Sequence, residues 1–423
     1  MKVLVIGGGG REHAIIKALK KSDKITQLYA APGNGGISRD ARCVPIKATD
    51  IPAVTEFAAQ NEIDYVVVAP DDPLAIGMVD ALEEKGIRCF GPDKAAARIE
   101  SSKVFAKDLM KKYGIPTAAY EIFSDADKAA DYVKSNSVSF PLVIKADGLA
   151  FGKGVIIAAN SDEASAAIDS IMREKRFGLS GLKIVIEEFL TGPEVSVLAF
   201  TDGKSIAPMV SSMDHKRAFE NNEGPNTGGM GVIAPNPHYT DEIARVCEKT
   251  IFLPTIKAMR EEGCPFKGCL YFGLMLTPSG PSVIEYNSRF GDPETQAVLP
   301  LLETDLLEIM EAVTDERLSN LEIRWKNAHS ACVVLASGGY PDVYKTGLAI
   351  SGLDGNGNAK NSDAVIYHAG TEYRDGAFYT LGGRVLGVTA AASDLKSALE
   401  SAYKTAEKIS FEGVHYRRDI GKY

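Results

Sequence analysis

Apolar positions open the chain as an unbroken run, Val3-Leu4-Val5-Ile6, that ends in the glycines Gly7 to Gly10. A β-branched run without alternation predicts a parallel strand buried on both faces. REHAIIKALKK follows with apolar residues at helical spacing, so strand, glycine turn and helix come in succession. The theme repeats. QLYAAPGNGG reads as a strand running into Pro32, Gly33 and Asn34. IDYVVVAPDDPLAIG reads as another, with Asp71 and Asp72 at its carboxyl end and a helix through Val79 to Lys85, and IRCFGP closes a further short strand. This alternation predicts an open parallel α/β sheet over residues 1–100. Ligands of such sheets collect at the carboxyl ends of strands. Gly8, Gly9, Gly10, Gly33, Asn34 and Asp71 would all gather on that edge.

From Ser101 the pattern changes. SSKVFAKDLMKKYGIP has a capping serine, helical spacing and a Gly-Ile-Pro stop. FPLVIKADGLAFGKGVIIA reads as strand, glycine-rich loop, strand, with Lys145 ending the first strand and Gly148, Gly152, Lys153 and Gly154 in the loop. Such a loop either folds over a phosphate chain or is a flexible hairpin with no cargo. KIVIEEFLTGPEVSVLAF supplies the next strand, whose Glu187, Glu188, Phe189 and Leu190 exit into a turn; backbone groups there suit an adenine edge, and Glu194 suits ribose hydroxyls. In SSMDHKRAFENNEGPNTGGMGVIAP, Asp214, His215, Lys216 and Arg217 are too dense a charge cluster for a buried strand, and Pro225 to Gly231 has a loop's composition. Leu301 to Asp315 reads as an amphipathic helix. HSACVVLASGGYP, AVIYHAGT, YTLGGRVLGVTA and a helix from Leu395 to Ile409 predict a small α+β domain. The divisions expected are 1–100, 101–325 with a lid at about 122–190, and 326–423.

VIEYNSRFGDPETQ, Val283 to Gln296, carries the densest chemistry. Strand alternation puts Glu285 and Asn287 on one face. A carboxylate and an amide oxygen so placed suit Mg²⁺, which takes hard oxygen ligands and shares its shell with phosphates. The planar fork of Arg289 suits a carboxylate or phosphoryl group. Asp292 and Glu294 could hold a small ammonium group. A strand ending in a solvated acidic loop is the plainer alternative.

Composition narrows the classes. A chain of 423 residues, 45% hydrophobic and 24% charged, is ordinary for a soluble protein of two to four domains. A net charge of -9 argues against a nucleic-acid or anionic-membrane surface. The six cysteines form no CxxC pair and read as reduced thiols of a cytoplasmic protein. The opening apolar run is too short for a membrane helix. G-x-G-x-x-G fails twice, ending on Glu12 from Gly7 and on His13 from Gly8, and no acidic residue ends the second strand, which weakens a dinucleotide site. The glycine loop is one residue short of a Walker A motif and precedes a strand.

The order SK-x-F-x-K, IKADGLAFGKGV, VIEEFL, DHKR, GPNTGGMG, LYFGLM and VIEYNSRFGDPETQ resembles the ATP-grasp enzymes, and GPNTGGMG with RFGDPETQ resembles the phosphoribosylamine–glycine ligases among them. The resemblance runs from IGGGGREHA and APGNGG to YRRDIG. It implies a central ATP-grasp fold with a small lid, flanked by the N-terminal α/β and C-terminal α+β parts. It also implies ATP, Mg²⁺ or Mn²⁺, glycine and 5-phosphoribosylamine as partners, with a glycyl phosphate intermediate and a cytoplasmic monomer. Carried onto this chain, Lys103 and Lys145 would hold the ATP phosphates, and Glu285 and Asn287 the metal. Arg289 would steady the transferring group, and Asp214 and Asp292 the glycine ammonium. Lys216 would join the substrate contacts, and the N-terminal edge residues would hold phosphoribosylamine. Two departures stand out: Ala69-Pro70-Asp71-Asp72-Pro73-Leu74 where the family usually reads GPEAPL, and Phe151 where it has alanine. A carboxylase or formate-using ligase on the same fold, or a nucleotide-binding regulatory protein, are the alternatives.

Overall fold

The computed structural model describes residues 1–135, 138–149 and 154–422. Its N-terminal sheet is parallel throughout and runs Arg42–Cys43, Gln27–Pro32, Lys2–Gly7, Tyr65–Val68, Arg88–Phe90 from edge to edge. Strand Lys2–Gly7 is central, which is why Val3 to Ile6 carry no polar residue. Strand order reverses beside it, and the loops that leave it and Tyr65–Val68 open the crevice where such sheets bind ligands. Helix Gly10–Leu19 starts directly at the glycine turn. The helix expected through Val79 to Lys85 is two short helices, Asp71–Ile76 and Met78–Glu84. Gly77, at φ 95°, breaks them, and Asp71 stands in the first turn of the former.

A central antiparallel sheet runs Ile206–Pro208, Glu194–Asp202, Lys267–Thr277, Gly280–Asn287. It is buried on both faces. Val195, Val197 and Phe272 pack against Leu109 and Met110 of helix Lys103–Tyr113 and Ile256 and Met259 of helix Leu253–Glu261. Leu198, Phe200 and Tyr271 share a core with Val3 and Ile16 of the N-terminal part and with Leu307 and Met310 of helix Leu306–Thr314. That last helix begins later than Leu301 because Leu299–Leu301 is a 3-10 turn and Asp305 caps the Leu307 N–H. The lid sheet runs Tyr120–Phe123, Ile184–Glu188, Leu142–Ala146, Val155–Ala158, with the expected glycine hairpin formed by its last two strands. Helices Ala126–Lys134 and Ser161–Ile168 cover it.

The C-terminal sheet runs Met213–Asp214, Gly231–Ala234, His329–Ala336, Arg384–Ala392, Val365–His368, under helix Leu395–Ala406. Its first two strands come from the middle of the chain. Asp214 and Arg217, expected from the density of charge to lie outside a buried strand, end and begin short strands, while His215 and Lys216 do not; Pro225, Asn226 and Gly231, expected in a loop, are strand residues, and residues 227–230 are not. Arg217–Phe219 and Glu223–Asn226 also form a hairpin. His215 is buried, with Nδ1 3.1 Å from the Gly231 carbonyl and Nε2 accepting from the Gly421 N–H. That partner lies at the far end of the sequence, so local pattern could not find it.

The N- and C-terminal parts meet through glycines. The Asn34 side-chain amide donates to the carbonyls of Gly8 and His368, at 2.9 and 2.7 Å. A Cβ on Gly36 would lie 2.1 Å from His368 Cγ, and one on Gly8 2.3 Å from the Gly33 carbonyl oxygen. No helix among the described residues is long and apolar enough to cross a membrane.

Burial holds His13 and His215 down to about 4 and His368 to about 3. Burial alone would raise Asp40, but hydrogen bonds from His13, Lys17 and Lys20 hold it well below the ordinary carboxylate range. Below pH 6.5 the unfolded chain takes up histidine protons that the folded chain refuses. Stability should therefore fall by up to about 1.4 kcal/mol per pH unit for each such histidine until pH nears their folded values. The Asp40 contribution stays present until pH drops below its ordinary value of 3.8. Urea midpoints should hold level from about pH 7.5 to 6.5 and then decline to about pH 4.5; a flat profile throughout contradicts neutral buried histidines.

Candidate functional site

Strand Gly280–Asn287 leads into the turn that begins at Ser288 and forms the floor of the site. Glu285 and Asn287 lie opposite Gly273 and Tyr271 on the neighbouring strand. Gly273 is required there, since a Cβ would stand 2.8 Å from Glu285 Cγ. Burial would raise the Glu285 carboxyl, but Lys216, Lys145, Lys103 and Arg289 around it hold it below the usual range. The Asn287 side-chain N–H donates to the Tyr286 carbonyl at 2.7 Å, which leaves the amide oxygen as its free end. No cluster of three or more His, Cys, Asp or Glu ligands occurs among the described residues. An ionised carboxylate with one amide oxygen is thus an incomplete cage. It fits a hard divalent cation that takes its remaining ligands from phosphate and water.

Lys103 is the first residue of helix Lys103–Tyr113, and its ammonium donates to the Gly148 carbonyl at 2.8 Å. The start of that helix also holds Asp147, through the Val104 N–H and the Ser102 hydroxyl. The base of the glycine hairpin is therefore docked on a helix N-terminus. Gly148, at φ 121°, packs so closely that a Cβ would meet Ser180 Oγ at 2.5 Å. Gly154 directly precedes the return strand, its carbonyl accepting from the Ala146 N–H. Phe151, Gly152 and Lys153 lie outside the described residues.

Lys145 donates to the Ile284 carbonyl at 2.9 Å and stands 2.9 Å from Glu187 Oε1. Lys107 lies 2.9 Å from the other oxygen, Oε2. Burial and the Lys145 charge pull Lys107 down, and Glu187 only partly offsets them, leaving it at about 8. The carboxylate of Glu187 is thus committed to two lysines, which leaves only its backbone for a nucleotide contact. Glu188 is likewise committed, its side chain accepting from the Ala119 N–H and its own N–H donating to the Ala119 carbonyl. Phe189 is exposed and Leu190 half-buried in the segment that joins the lid to the central sheet. Glu194 pairs with Lys216 at 3.0 Å.

Arg289 is held from behind. Its Nη2 lies 3.0 Å from Glu100 Oε1, while Glu100 Oε2 accepts from the Ser288 N–H and hydroxyl. Burial pushes Glu100 up, against the pull of Arg289. Burial disfavours the Arg289 charge too, but Glu100, Asp71 and Glu294 keep it ionised. Arg289 Nε has no hydrogen-bond partner among the described residues. Asp71 faces Arg289 and Arg11, which outweigh its burial and hold it low. Sequence reasoning missed Glu100, for it sits in helix Lys94–Ser101, 188 positions from Ser288, with no local signal.

Asp214 and Asp292, expected to share an ammonium, are not equivalent. Asp214 Oδ1 is buried with no hydrogen-bond partner among the described residues. Burial and the nearby Glu294 push its carboxyl well above the ordinary value. Glu294 is buried and accepts from Ser196 Oγ at 3.3 Å. Asp292 instead lies 3.3 Å from Arg384 and accepts from Gln296 at 2.7 Å. Burial would raise it, but Arg384 and Arg11 keep it low. Its Oδ2 would be 3.4 Å from a Cβ at Gly9, so it belongs to the glycine turn. There the Gly9 N–H is already bound by Glu12 Oε2 at 2.6 Å, and Gly10 lies against Gln296. Asn34 braces the turn with its amide nitrogen and Ile37 with its oxygen, so its side chain is not free for a ligand. Arg384 donates to the carbonyls of Asp292 and Gly228 and so links the two loops.

Comparison with known proteins accounts for this arrangement along the chain. A family model for the N domain of phosphoribosylglycinamide synthetase matches residues 1–100. The models for its ATP-grasp (A) domain and C domain match 101–295 and 330–423. A phosphoribosylamine–glycine ligase of Caldanaerobacter subterraneus is 49% identical over 420 residues, covering 99% of both chains. The crystal structure of phosphoribosylamine–glycine ligase from Thermotoga maritima superposes with a TM-score of 0.84 at 34% identity, covering 100% of both chains. The biotin carboxylase domain of 2-oxoglutarate carboxylase from Hydrogenobacter thermophilus, at 17% identity, has a TM-score of 0.73 and covers 98% of this chain and 91% of its own. That second likeness concerns the fold alone.

Glu100→Ala would leave the Arg289 guanidinium and the Ser288 donors without their buried partner. Its unfolding free energy in urea should drop by about 3–5 kcal/mol. A loss within experimental error would show that Glu100 does not support the arginine.

Proposed function

Because the chain belongs to the phosphoribosylglycinamide synthetase family of ATP-grasp ligases, we propose that the residues around Glu285 carry that family's reaction. The chain is an ATP-dependent carbon–nitrogen ligase that joins glycine to 5-phosphoribosylamine in de novo purine biosynthesis. A carboxylate carbon is a poor electrophile. A glycine carboxylate oxygen therefore attacks the γ-phosphorus, ADP leaves, and glycyl phosphate forms. The 1-amino group of phosphoribosylamine then attacks the acyl carbon and loses a proton. The C–O bond to phosphate breaks, giving glycinamide ribonucleotide.

The observation that carries the assignment is the convergence of Lys103, Lys145, Lys216 and Arg289 on one ionised carboxylate, Glu285. Phosphoryl transfer asks for positioning and charge neutralisation rather than a protein nucleophile. Lys103 and Lys145, set at the base of the glycine hairpin, bind ATP phosphates. Glu285 and Asn287 hold Mg²⁺, with Mn²⁺ as a substitute, and the ion supplies charge neutralisation of the phosphate oxygens. Arg289, ionised and fixed by Glu100, binds the transferring phosphoryl and acyl oxygens. The glycine ammonium lies between Asp214 and Glu294, where a buried acceptor is otherwise unmatched. An ammonium placed there would return Asp214 to its charged form. Gly8 to Gly10, Gly33, Asp71 and Asp292 line the pocket for phosphoribosylamine, with Asp71 set towards its ribose. Phe189 and Leu190 border the adenine. The glycine hairpin and the Asn226 to Gly231 segment shield the acyl phosphate from water.

ADP release with MgATP, glycine and fresh phosphoribosylamine, each omitted in turn, tests the reading as a whole. Release should require both glycine and phosphoribosylamine; release with formate or bicarbonate in place of glycine would refute the glycine site. Glu285→Ala should lower kcat by about a thousandfold with the fold intact. Near-normal turnover at saturating Mg²⁺ would remove it from the metal site. Asp71→Asn should raise KM for phosphoribosylamine about tenfold while KM for ATP stays near normal; equal effects on both would misplace the pocket.

A further inference from the structure

We propose that Lys107 is a positioning residue, which acts through Glu187 to hold the Lys145 ammonium at the Ile284 carbonyl with charge to spare for ATP. This rests on the reading of Lys145 as a phosphate ligand and deepens it. Lys107 lies one helical turn after Lys103 on helix Lys103–Tyr113, so the two side chains leave the same face. The side chains of Lys107 and Glu187 are each 3% exposed, which keeps Lys107 from touching a substrate itself.

The contacts form a closed chain. Lys107 Nζ lies 2.9 Å from Glu187 Oε2 and donates to Thr117 Oγ1 at 2.8 Å. Thr117 donates in turn to the Val283 carbonyl at 2.7 Å. Lys145 Nζ lies 2.9 Å from Glu187 Oε1 and donates to the next carbonyl along, Ile284, at 2.9 Å. Both ammonium groups are thereby referenced to consecutive carbonyls of the strand that carries Glu285 and Asn287. Glu187 Oε1 makes no aligned hydrogen bond among the described residues, so its hold on Lys145 is one of charge rather than direction.

The consequence is electrostatic. One buried carboxylate shared by two lysines leaves a net positive charge, and Lys145 can present it to a phosphate. Without Lys107, the whole charge of Glu187 falls on Lys145. The ammonium is drawn off the Ile284 carbonyl, and its field at the nucleotide is largely cancelled. Removing the carboxylate as well relieves that pull, so the second change should repair the first.

Steady-state kinetics, direct ATP binding and melting temperatures of Lys107→Met, Glu187→Gln, the double variant and Lys145→Met test this. Lys107→Met should raise KM for ATP about tenfold with KM for glycine within about twofold, and adding Glu187→Gln should recover most of that loss. Losses that add in the double variant overturn the inference. So does a Lys107→Met enzyme that melts lower with unchanged KM for ATP, which is what a merely structural lysine would give. If Lys107→Met does not fold, the double variant, free of both buried charges, decides: near-normal ATP affinity supports the role and a tenfold loss overturns it. An unchanged KM for ATP in Lys145→Met overturns the reading of Lys145 and this inference with it. A raised KM there, beside an unaffected Lys107→Met, overturns the inference alone.

Discussion

Charge taken out of water has to be met by opposite charge or hydrogen bonds, and the geometry of this pocket follows from that requirement. Glu187 sits between Lys107 and Lys145, Glu285 among Lys216 and its neighbours, Glu100 behind Arg289, and Asp292 against Arg384. Lys145 and Arg289 are each met by a buried carboxylate, Glu187 by charge and Glu100 by a directed contact. Arg289 shows the logic most plainly: one side is clamped by Glu100, and a buried N–H remains unmatched. Asp214 is the acidic counterpart, a buried acceptor without a hydrogen-bond partner among the described residues that burial and Glu294 push towards its neutral form.

These partners come from different sheets, so the pocket exists only where the sheets are held in fixed relation. Asp71 follows a strand of the N-terminal sheet, Glu285 lies on the central sheet and Asp214 on an edge strand of the C-terminal sheet. The central sheet is packed on both faces, one of them fused into the core of the N-terminal part. The C-terminal sheet borrows Met213–Asp214 and Gly231–Ala234 from the middle of the chain, which mounts Asp214 and the Gly228–Gly229 turn on it. Arg384 then ties that turn to Asp292. Glycine makes the remaining joints possible, because backbone passes backbone at Gly8 and Gly33, and Gly36 lies too close to the His368 side chain for a Cβ. The lid is held through Asp147, Gly148, the Ala119–Glu188 hydrogen bonds and the lysine pair on Glu187.

What the sequence determined by itself is the set of local elements and the chemistry they carry. Unbroken β-branched runs, glycine turns and helix caps marked the parallel sheet, the glycine hairpin and helix Lys103–Tyr113, because periodicity and capping act over a few residues. The i, i+2 spacing of Glu285 and Asn287 put both on one face for the same reason. Tertiary structure alone decided which charges meet. It placed Asp214 on the border of a distant sheet and buried His215 against Gly231 and Gly421. It gave the side chains of Glu187 and Asn34 protein partners. It also gave Asp214 and Asp292 different partners and joined Glu100 to Arg289. Pairing energies depend on distance and burial, and neither is encoded in spacing along the chain when the partners lie hundreds of residues apart.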